Sequence, residues 1–208
     1  HGMRDLERYR QTLSEWRTVA VACGIELIPG MEYDFGFLAE WKRRSQGQAP
    51  IQMLNNGRFL LVDFAAPILP PNWHNVLVGD MVELGARVLV AHPERLYPEI
   101  LAVGTEFVEA GAFVQINAGS LLGHYGPGPR RAGFQLLESG LCHIIAGDVH
   151  RPRENRWPLA EVRDLLVKRY GVEPVEVWLQ ENPHRILNNE LPRRVTPKRP
   201  WYRRILPF

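Results

Sequence analysis

Carboxylates and histidines follow four short, mostly apolar runs of this sequence, and these two residue types together bind divalent metal ions. Such runs are typical of strands that are buried on both faces. The runs and the residues that follow them are 25–31 with Glu32, 59–62 with Asp63, 88–91 with His92, and 143–147 with Asp148 and His150. Because the carboxyl ends of parallel strands meet at one edge, we expect these side chains to share a metal site.

The chemistry expected of such a cluster is hydrolysis of a phosphate ester. Its carboxylates favour harder ions such as Mn²⁺, and its imidazoles also suit Zn²⁺ and Fe²⁺. With two or three metal ions, a metal-activated hydroxide would attack phosphorus directly, while arginines would hold the phosphoryl oxygens. The arginines just past predicted strand ends are Arg95, Arg151, Arg153 and Arg156. Asn117 and Ser120 are further candidates for binding phosphate.

Each candidate also has an ordinary structural explanation. The alternatives are a helix cap for His92, an ion pair with an arginine for Glu32, a turn cap for Asp63, and helix caps for Asn117 and Ser120. Asp148 and His150 alternate onto one side of the chain, where two ionisable groups after a buried strand need partners. His124 lies in a glycine- and proline-rich loop, 123–129, that could cover the site, and it is equally compatible with a surface position.

Helical patterns alternate with the apolar runs, which predicts a parallel α/β fold. The predicted helices are 6–22 with Asp5 as N-cap, 37–44, 75–84, 98–110, 130–139, 158–170, 173–181 and a turn at 183–187. Three of the units place a glycine between helix and buried strand, at Gly85, Gly111 and Gly140. A hairpin turn is expected at residues 55–57. A barrel is favoured over an open sheet because polar residues follow nearly every strand, including the one predicted at 112–116.

The composition is that of a globular protein of one domain. The chain has 208 residues, 45% of them hydrophobic, with no apolar stretch long enough to span a bilayer. Cys23 and Cys142 form no CxxC pair and neither begins a Cys-x5-Arg loop, which argues against a cysteine-nucleophile phosphatase. This cysteine usage favours a cytoplasmic location.

Basic residues are concentrated at the end of the chain. Residues 193–208 hold six of them and no acid, which leaves 19 basic against 23 acidic residues in the body, a formal charge of −4. The body is therefore a poor candidate for binding nucleic acid. The basic tail is expected to be solvated or loosely docked, or else to contact an acidic partner or the membrane surface.

Six stretches of the chain resemble the bacterial tyrosine-protein phosphatases of the polymerase-and-histidinol-phosphatase (PHP) superfamily, of the capsule-biosynthesis type. The stretches are 29–32, 61–64, 90–95, 117–124, 145–150 and 181–187. Their order and spacing agree with that family from about Asp5 to Glu190. The six stretches together are specific for this family, although no single stretch would identify it.

The resemblance implies a distorted, TIM-like (β/α)7 barrel over residues 1–190, followed by the basic tail at 191–208. It implies metal ions, typically Mn²⁺, held by Glu32, Asp63, His92, Asp148 and His150, and a phosphate held by Arg95. The implied activity is removal of phosphate from protein tyrosines. The usual substrate would be the tail of an autophosphorylating tyrosine kinase that controls polysaccharide polymerisation and export.

The chain departs from the family pattern in two respects. The family usually has glutamate at the position of Asp63. It also opens with a His-x-His motif on its first strand and carries a histidine after its second strand, and neither is visible here. His1 is either a remnant of that second histidine or a residue just beyond it. The expectation is therefore a barrel that lacks its first strands in this chain. The alternative functions are a small-molecule phosphatase of the same superfamily, such as one for histidinol phosphate, and a catalytically impaired barrel that binds a partner.

Overall fold

Short parallel strands form one sheet in the order in which they occur along the chain. We analysed a computed structural model, which describes residues 2–45, 51–64, 73–96, 100–150 and 158–198. The strands are β1 (Glu32–Asp34), β2 (Phe59–Asp63), β3 (Arg87–Ala91), β4 (Phe113–Asn117) and β5 (Ile144–Ala146). Each pairs in parallel with the next. The predicted parallel α/β class is confirmed, whereas β1 and β5 do not pair with each other, so the sheet is open over the described residues.

Helices cover the connections between the strands. They are α1 (Gly2–Ala22), α2 (Phe35–Ser45), α3 (Met81–Glu83), α4 (Ile100–Glu109), α5 (Ala118–Leu122), α6 (Pro127–Glu138), α7 (Pro158–Tyr170), α8 (Val172–Glu176) and α9 (Asn182–Leu187). Wider π-helical turns precede α3 and α9, and 3-10 turns lie at Leu54–Asn56 and Pro93–Leu96. Within the described ranges, none of the helices combines the length and apolar character that crossing a bilayer requires.

The predicted helices are confirmed with shifted ends. Helix α1 begins at Gly2, so Asp5, the predicted N-cap, lies inside the helix. The three glycines predicted to stop helices, Gly85, Gly111 and Gly140, have φ angles of 71°, 87° and 66°. That left-handed conformation is one that glycine adopts without a steric penalty, which explains why the chain turns from helix to strand at these points.

Two predictions near β1 and β2 were wrong. Residues 25–31 form no strand, and β1 begins only at Glu32. The run is not buried as a central strand would be, since Ile25 is 56% exposed and Ile28 is 37% exposed. The backbone N–H of Gly30 donates to the hydroxyl of Tyr9 on α1 at 2.8 Å. Residues 55–57 form no hairpin, since β1 and β2 are parallel. The Asn-Asn-Gly sequence instead makes a 3-10 turn in which both asparagines have positive φ.

The two faces of the sheet bury different sets of apolar residues. Val62, Val90 and Val114 lie on one face, in the main core. The other face carries a smaller cluster of Phe59, Leu89, Ile144 and Ile186. Glu32 is in register with Leu61, which packs against that smaller cluster. Glu32, and Asp63 by alternation along β2, therefore lie on the face of the smaller cluster, away from the main core.

The segment after α9 is docked on the body of the protein. The side-chain amide of Asn182 donates to the carbonyls of His143 and Arg193, each at 2.7 Å, and its oxygen accepts from the backbone N–H of Arg193 at 2.7 Å. Arg194 Nε donates to the carbonyl of Gly140 at 2.7 Å. The beginning of the predicted tail is thus firmly held as far as the structure describes it, and residues 199–208 lie outside the described part.

Candidate metal and phosphate site

Glu32, His92 and Asp148 come together at one edge of the sheet. One possible ligand atom from each lies within 4.8 Å of the others. His92 directly follows β3 and Asp148 follows β5, whereas Glu32 is the first residue of β1. Glu32 Oε1 is 3.2 Å from His92 Nε2. Two carboxylates and one imidazole at this spacing fit a divalent metal ion, as predicted for these three residues.

Asp63 and His150 lie beside this group. Asp63 Oδ1 is 3.5 Å from His92 Nδ1, the ring nitrogen that faces away from Glu32. A carboxylate in that position fixes the orientation of a metal-binding histidine. His150 is exposed, and its Nδ1 lies 3.0 Å from the carbonyl oxygen of Asp148 and 3.4 Å from its Oδ1. Metal ligation by Asp63 and His150 therefore stays a prediction.

The site concentrates negative charge around one histidine. The hydrogen bond with His92 is the main influence on Glu32 and lowers its pKa. Burial raises the pKa of Asp63. Burial alone would lower the pKa of His92, but the hydrogen bond to Glu32 and the nearby carboxylates raise it overall. Carboxylates this close attract cations, and a divalent ion would balance their charge.

The backbone is strained at two of these residues. His92 has a φ of 34° and Asp148 a φ of 50°, both in the left-handed region that side chains other than glycine rarely adopt. Each follows the end of a strand, where the unusual turn directs a polar side chain to the shared edge. Strain of this kind collects at functional sites.

Arg95 links the metal-binding group to the loop before α6. Its Nη2 donates to Asp148 Oδ2 at 2.8 Å, and its guanidinium carbon lies 4.8 Å from the centre of the Tyr125 ring. The loop between α5 and α6, residues 123–126, therefore reaches the site through Tyr125, and the last residues of the predicted loop belong to α6. His124 is exposed, and its backbone N–H donates to the carbonyl of Gly119. Tyr125 was not predicted, although an aromatic residue in that loop was a visible signal.

Asn117 and Ser120 are fully buried behind the site. The side-chain amide of Asn117 donates to Asp148 Oδ2 at 2.8 Å, and the hydroxyl of Ser120 donates to Glu94 Oε1 at 2.7 Å. Both side chains are therefore engaged with carboxylates, and phosphate binding by either stays a prediction. Sequence reasoning assigned no role to Glu94, although its place between His92 and Arg95 pointed to it.

Several predicted residues fall outside the described part of the chain. They are His1, Arg151, Arg153 and Arg156. The predicted contacts of Arg151 and Arg153 with phosphate accordingly stay predictions. Among the described residues, Arg95 is the arginine that contacts the metal-binding group.

Comparisons with known sequences match most of this chain to one protein family. A protein-family model described as capsular polysaccharide synthesis, CpsB/CapC, matches residues 2–188. CapC of Staphylococcus aureus is 32% identical over 143 residues, which are 67% of this chain and 55% of that protein. The tyrosine-protein phosphatase YwqE of Bacillus subtilis is 30% identical over 142 residues, 66% of this chain and 54% of YwqE. The chain thus spans a little over half the length of these relatives.

A solved structure shares the fold. It belongs to the crystal structures of YwqE from Bacillus subtilis and CpsB from Streptococcus pneumoniae, which are metal-dependent tyrosine phosphatases. The two chains superpose with a TM-score of 0.77 at 24% sequence identity, over 92% of this chain and 77% of the other. The arrangement of parallel strands and helices is therefore common to both.

Proposed function

The chain belongs to the CpsB/CapC family of capsular polysaccharide synthesis, and from this premise we propose that it acts as a metal-dependent phosphatase on protein phosphotyrosine. The observation that carries the proposal is the grouping of Glu32, His92 and Asp148 within 4.8 Å, with Arg95 hydrogen-bonded to Asp148. Named relatives and a similar structure support the same activity, since they are tyrosine phosphatases. The usual family substrate, a tyrosine kinase tail that controls capsular polysaccharide export, is the partner we propose.

The metal site we propose is built on Glu32, His92 and Asp148, with Asp63 and His150 as additional ligands. Mn²⁺ is the expected ion because carboxylates dominate the set. A bound divalent ion would supply Lewis acidity to a phosphoryl oxygen and to water. Asp63 already lies against the Nδ1 side of His92, which leaves Nε2 directed at Glu32.

Arg95 is the residue that we assign to the phosphate. A guanidinium binds two oxygens of a phosphate at once, and the side chain of Arg95 is 38% exposed, so a substrate can reach it. In the structure Arg95 neutralises Asp148. When a phosphate and a metal ion bind together, Arg95 would pair with the phosphate and Asp148 with the metal ion. A water molecule at the site, or a histidine that does not bind the metal, would donate a proton to the leaving phenolate.

The exposure of the site favours a protein substrate over a small molecule. Arg95, which follows the central strand β3, has a side chain that is 38% exposed, and Tyr125 beside it is 48% exposed. A phosphotyrosine on an extended segment can enter such an open edge, whereas a metabolite would be better held by a closed pocket. A cytoplasmic kinase tail fits this requirement.

We also propose that the sheet is part of a distorted (β/α)7 barrel. The parallel order of the five strands and the match to a longer solved chain support this arrangement. Further strands between β5 and β1 would complete such a barrel. They would also cover the edges that are open in the described part of the chain.

The proposal is tested by phosphate release from a phosphotyrosine peptide with and without Mn²⁺. Outer residues of metal sites typically contribute 10–100-fold to activity, so replacing a direct ligand in Asp148→Ala should cost at least about 100-fold. The matched control is Glu176→Ala, which removes a carboxylate on α8 that pairs with Arg163 on α7. This variant should keep full activity. Undiminished activity of Asp148→Ala would contradict the assigned site.

The same assay separates the alternative functions. Hydrolysis of histidinol phosphate without hydrolysis of the peptide would indicate a small-molecule phosphatase. Binding of Mn²⁺ with no hydrolysis of either substrate would indicate a barrel that binds partners without catalysis. Metal-dependent release from the peptide alone is the result that we expect.

A further inference from the structure

Glu94 is a buried carboxyl group next to the proposed metal site, and the proposed reaction does not use it. It lies in the 3-10 turn that follows His92 and is fully buried. Its Oε1 accepts hydrogen bonds from the backbone N–H of Asn117 at 3.0 Å and from the hydroxyl of Ser120 at 2.7 Å. Burying a carboxyl group is unfavourable unless hydrogen bonds compensate for the lost hydration. The presence of Glu94 at this position therefore needs an explanation.

Asn117 extends this set of contacts to Asp148. Its side-chain oxygen accepts from the backbone N–H of Gly119 at 2.7 Å, which caps α5, and its amide donates to Asp148 Oδ2 at 2.8 Å. The two halves of one side chain thus join the start of α5 to a proposed metal ligand. Because Glu94 holds the backbone N–H of Asn117, it fixes the point from which that amide reaches Asp148.

Asp148 needs such support from side chains. Strand β5 ends at Ala146, so Asp148 lies beyond the sheet ladder, and its φ of 50° is unfavourable for a residue other than glycine. Arg95 and Asn117 each donate to its Oδ2, both at 2.8 Å. Arg95 is also the residue proposed to hold phosphate, so Asn117 is the contact that remains when substrate is bound.

We propose that Glu94 is a positioning residue, which orients Asp148 for metal binding through Asn117 and is itself held in place by Ser120. The inference rests on the proposed metal site. Its chemistry is that of the outer residues of metal centres, whose hydrogen bonds hold the ligands in place and whose loss weakens metal binding about 10–100-fold. It differs from a purely structural role because it predicts an effect on metal affinity that does not follow from stability.

The experiment measures Mn²⁺ affinity by titration calorimetry on the full chain and compares four variants with the parent. Glu94→Leu keeps much of the volume but removes the acceptor, and should weaken Mn²⁺ binding about 10–100-fold. Glu94→Gln keeps an oxygen that accepts both hydrogen bonds. Its Mn²⁺ affinity should lie within about threefold of the parent, a much smaller loss than that expected for Glu94→Leu. Ser120→Ala removes one donor and should weaken binding less than Glu94→Leu does.

Asn182→Ala is the control for lost stability. Asn182 is fully buried with three hydrogen bonds, but it acts near His143, before β5, whereas Asp148 follows β5. This variant should be less stable and yet bind Mn²⁺ like the parent. An equal loss of affinity in Asn182→Ala and Glu94→Leu would overturn the positioning role.

The remaining outcomes are also decisive. Parent-like Mn²⁺ binding by a folded Glu94→Leu would overturn the inference and leave the proposed phosphatase intact. If Glu94→Leu does not fold, Glu94→Gln and Ser120→Ala decide, and parent-like affinity in Ser120→Ala would overturn it. A parent chain that binds no Mn²⁺ would remove the proposed function itself, and the inference with it.

Discussion

Acidification should destabilise this protein through His143, a buried histidine just before β5. Its Nδ1 accepts a hydrogen bond from the backbone N–H of Val114 at 3.1 Å, so the ring must be neutral at that nitrogen. Burial, together with the positive charge of Arg194, lowers the pKa of His143 from 6.5 to about 4. Protonation would place a charge in the core and break the bond to Val114.

The magnitude follows from linkage between protonation and folding. The unfolded chain takes up a proton near pH 6.5 and the folded chain only near pH 4, so stability is full above pH 6.5 and falls as the pH drops between these values. At about 1.4 kcal/mol per pH unit, the full loss is about 3 kcal/mol, of which about 2 kcal/mol is lost by pH 5. For a chain of this length, the loss of about 2 kcal/mol by pH 5 corresponds to a decrease in Tm of roughly 4–8 °C.

The assay is urea unfolding at pH 7.5 and pH 5, for the parent chain and for His143→Asn. Asparagine offers an oxygen to the N–H of Val114 and does not titrate. Groups such as Asp63, whose pKa is raised by burial, titrate in both proteins and cancel in the difference. The parent should lose about 2 kcal/mol more than the variant between the two pH values. Equal losses in the two proteins would refute the assignment to His143.

Two further predictions concern the loop at the site and the main core. Tyr125→Ala should raise KM for a phosphotyrosine peptide about 2–5-fold, since an exposed cation–π contact with Arg95 contributes about 0.5–1 kcal/mol, and Tyr125→Phe should not. Unchanged KM in Tyr125→Ala would show that the ring does not hold Arg95. Leu136→Ala, at a fully buried position, should lower the free energy of unfolding by about 2–5 kcal/mol in urea titrations. The exposed control Val21→Ala should change it by less than about 0.5 kcal/mol, and similar losses in both would be inconsistent with the core described here.

The sequence predicted best where local and tertiary signals coincide. His92 and Asp148 follow apolar runs preceded by glycine, and both runs are strands of the parallel sheet. Glu32 was predicted correctly as part of the group, but for a local reason that was wrong. It begins β1, and the segment before it is not a strand but contacts α1 at Gly30, whose N–H donates to the hydroxyl of Tyr9. The apolar run was taken as a sign of burial, yet Ile25 is 56% exposed and Ile28 is 37% exposed, so apolar composition alone does not establish a buried strand.

Contacts between distant residues could not be predicted from spacing. Ser120 and Asn117 were candidates for phosphate because they follow a strand, yet they meet Glu94, more than 20 positions earlier, across β3 and β4. The approach of Asp63 to His92 depends on the register between β2 and β3, which the residue pattern of a single strand does not contain. Family membership was predictable because it depends on residue order, which the sequence holds directly.

The left-handed backbone at His92 and Asp148 has an evolutionary consequence. Each such conformation costs about 1–3 kcal/mol, and glycine would relieve most of it at either position. Selection for thermal stability alone would therefore tend to erase the site, one residue at a time. Any laboratory evolution of this chain towards heat resistance would need simultaneous selection for metal uptake, or the most stable survivors would be inert.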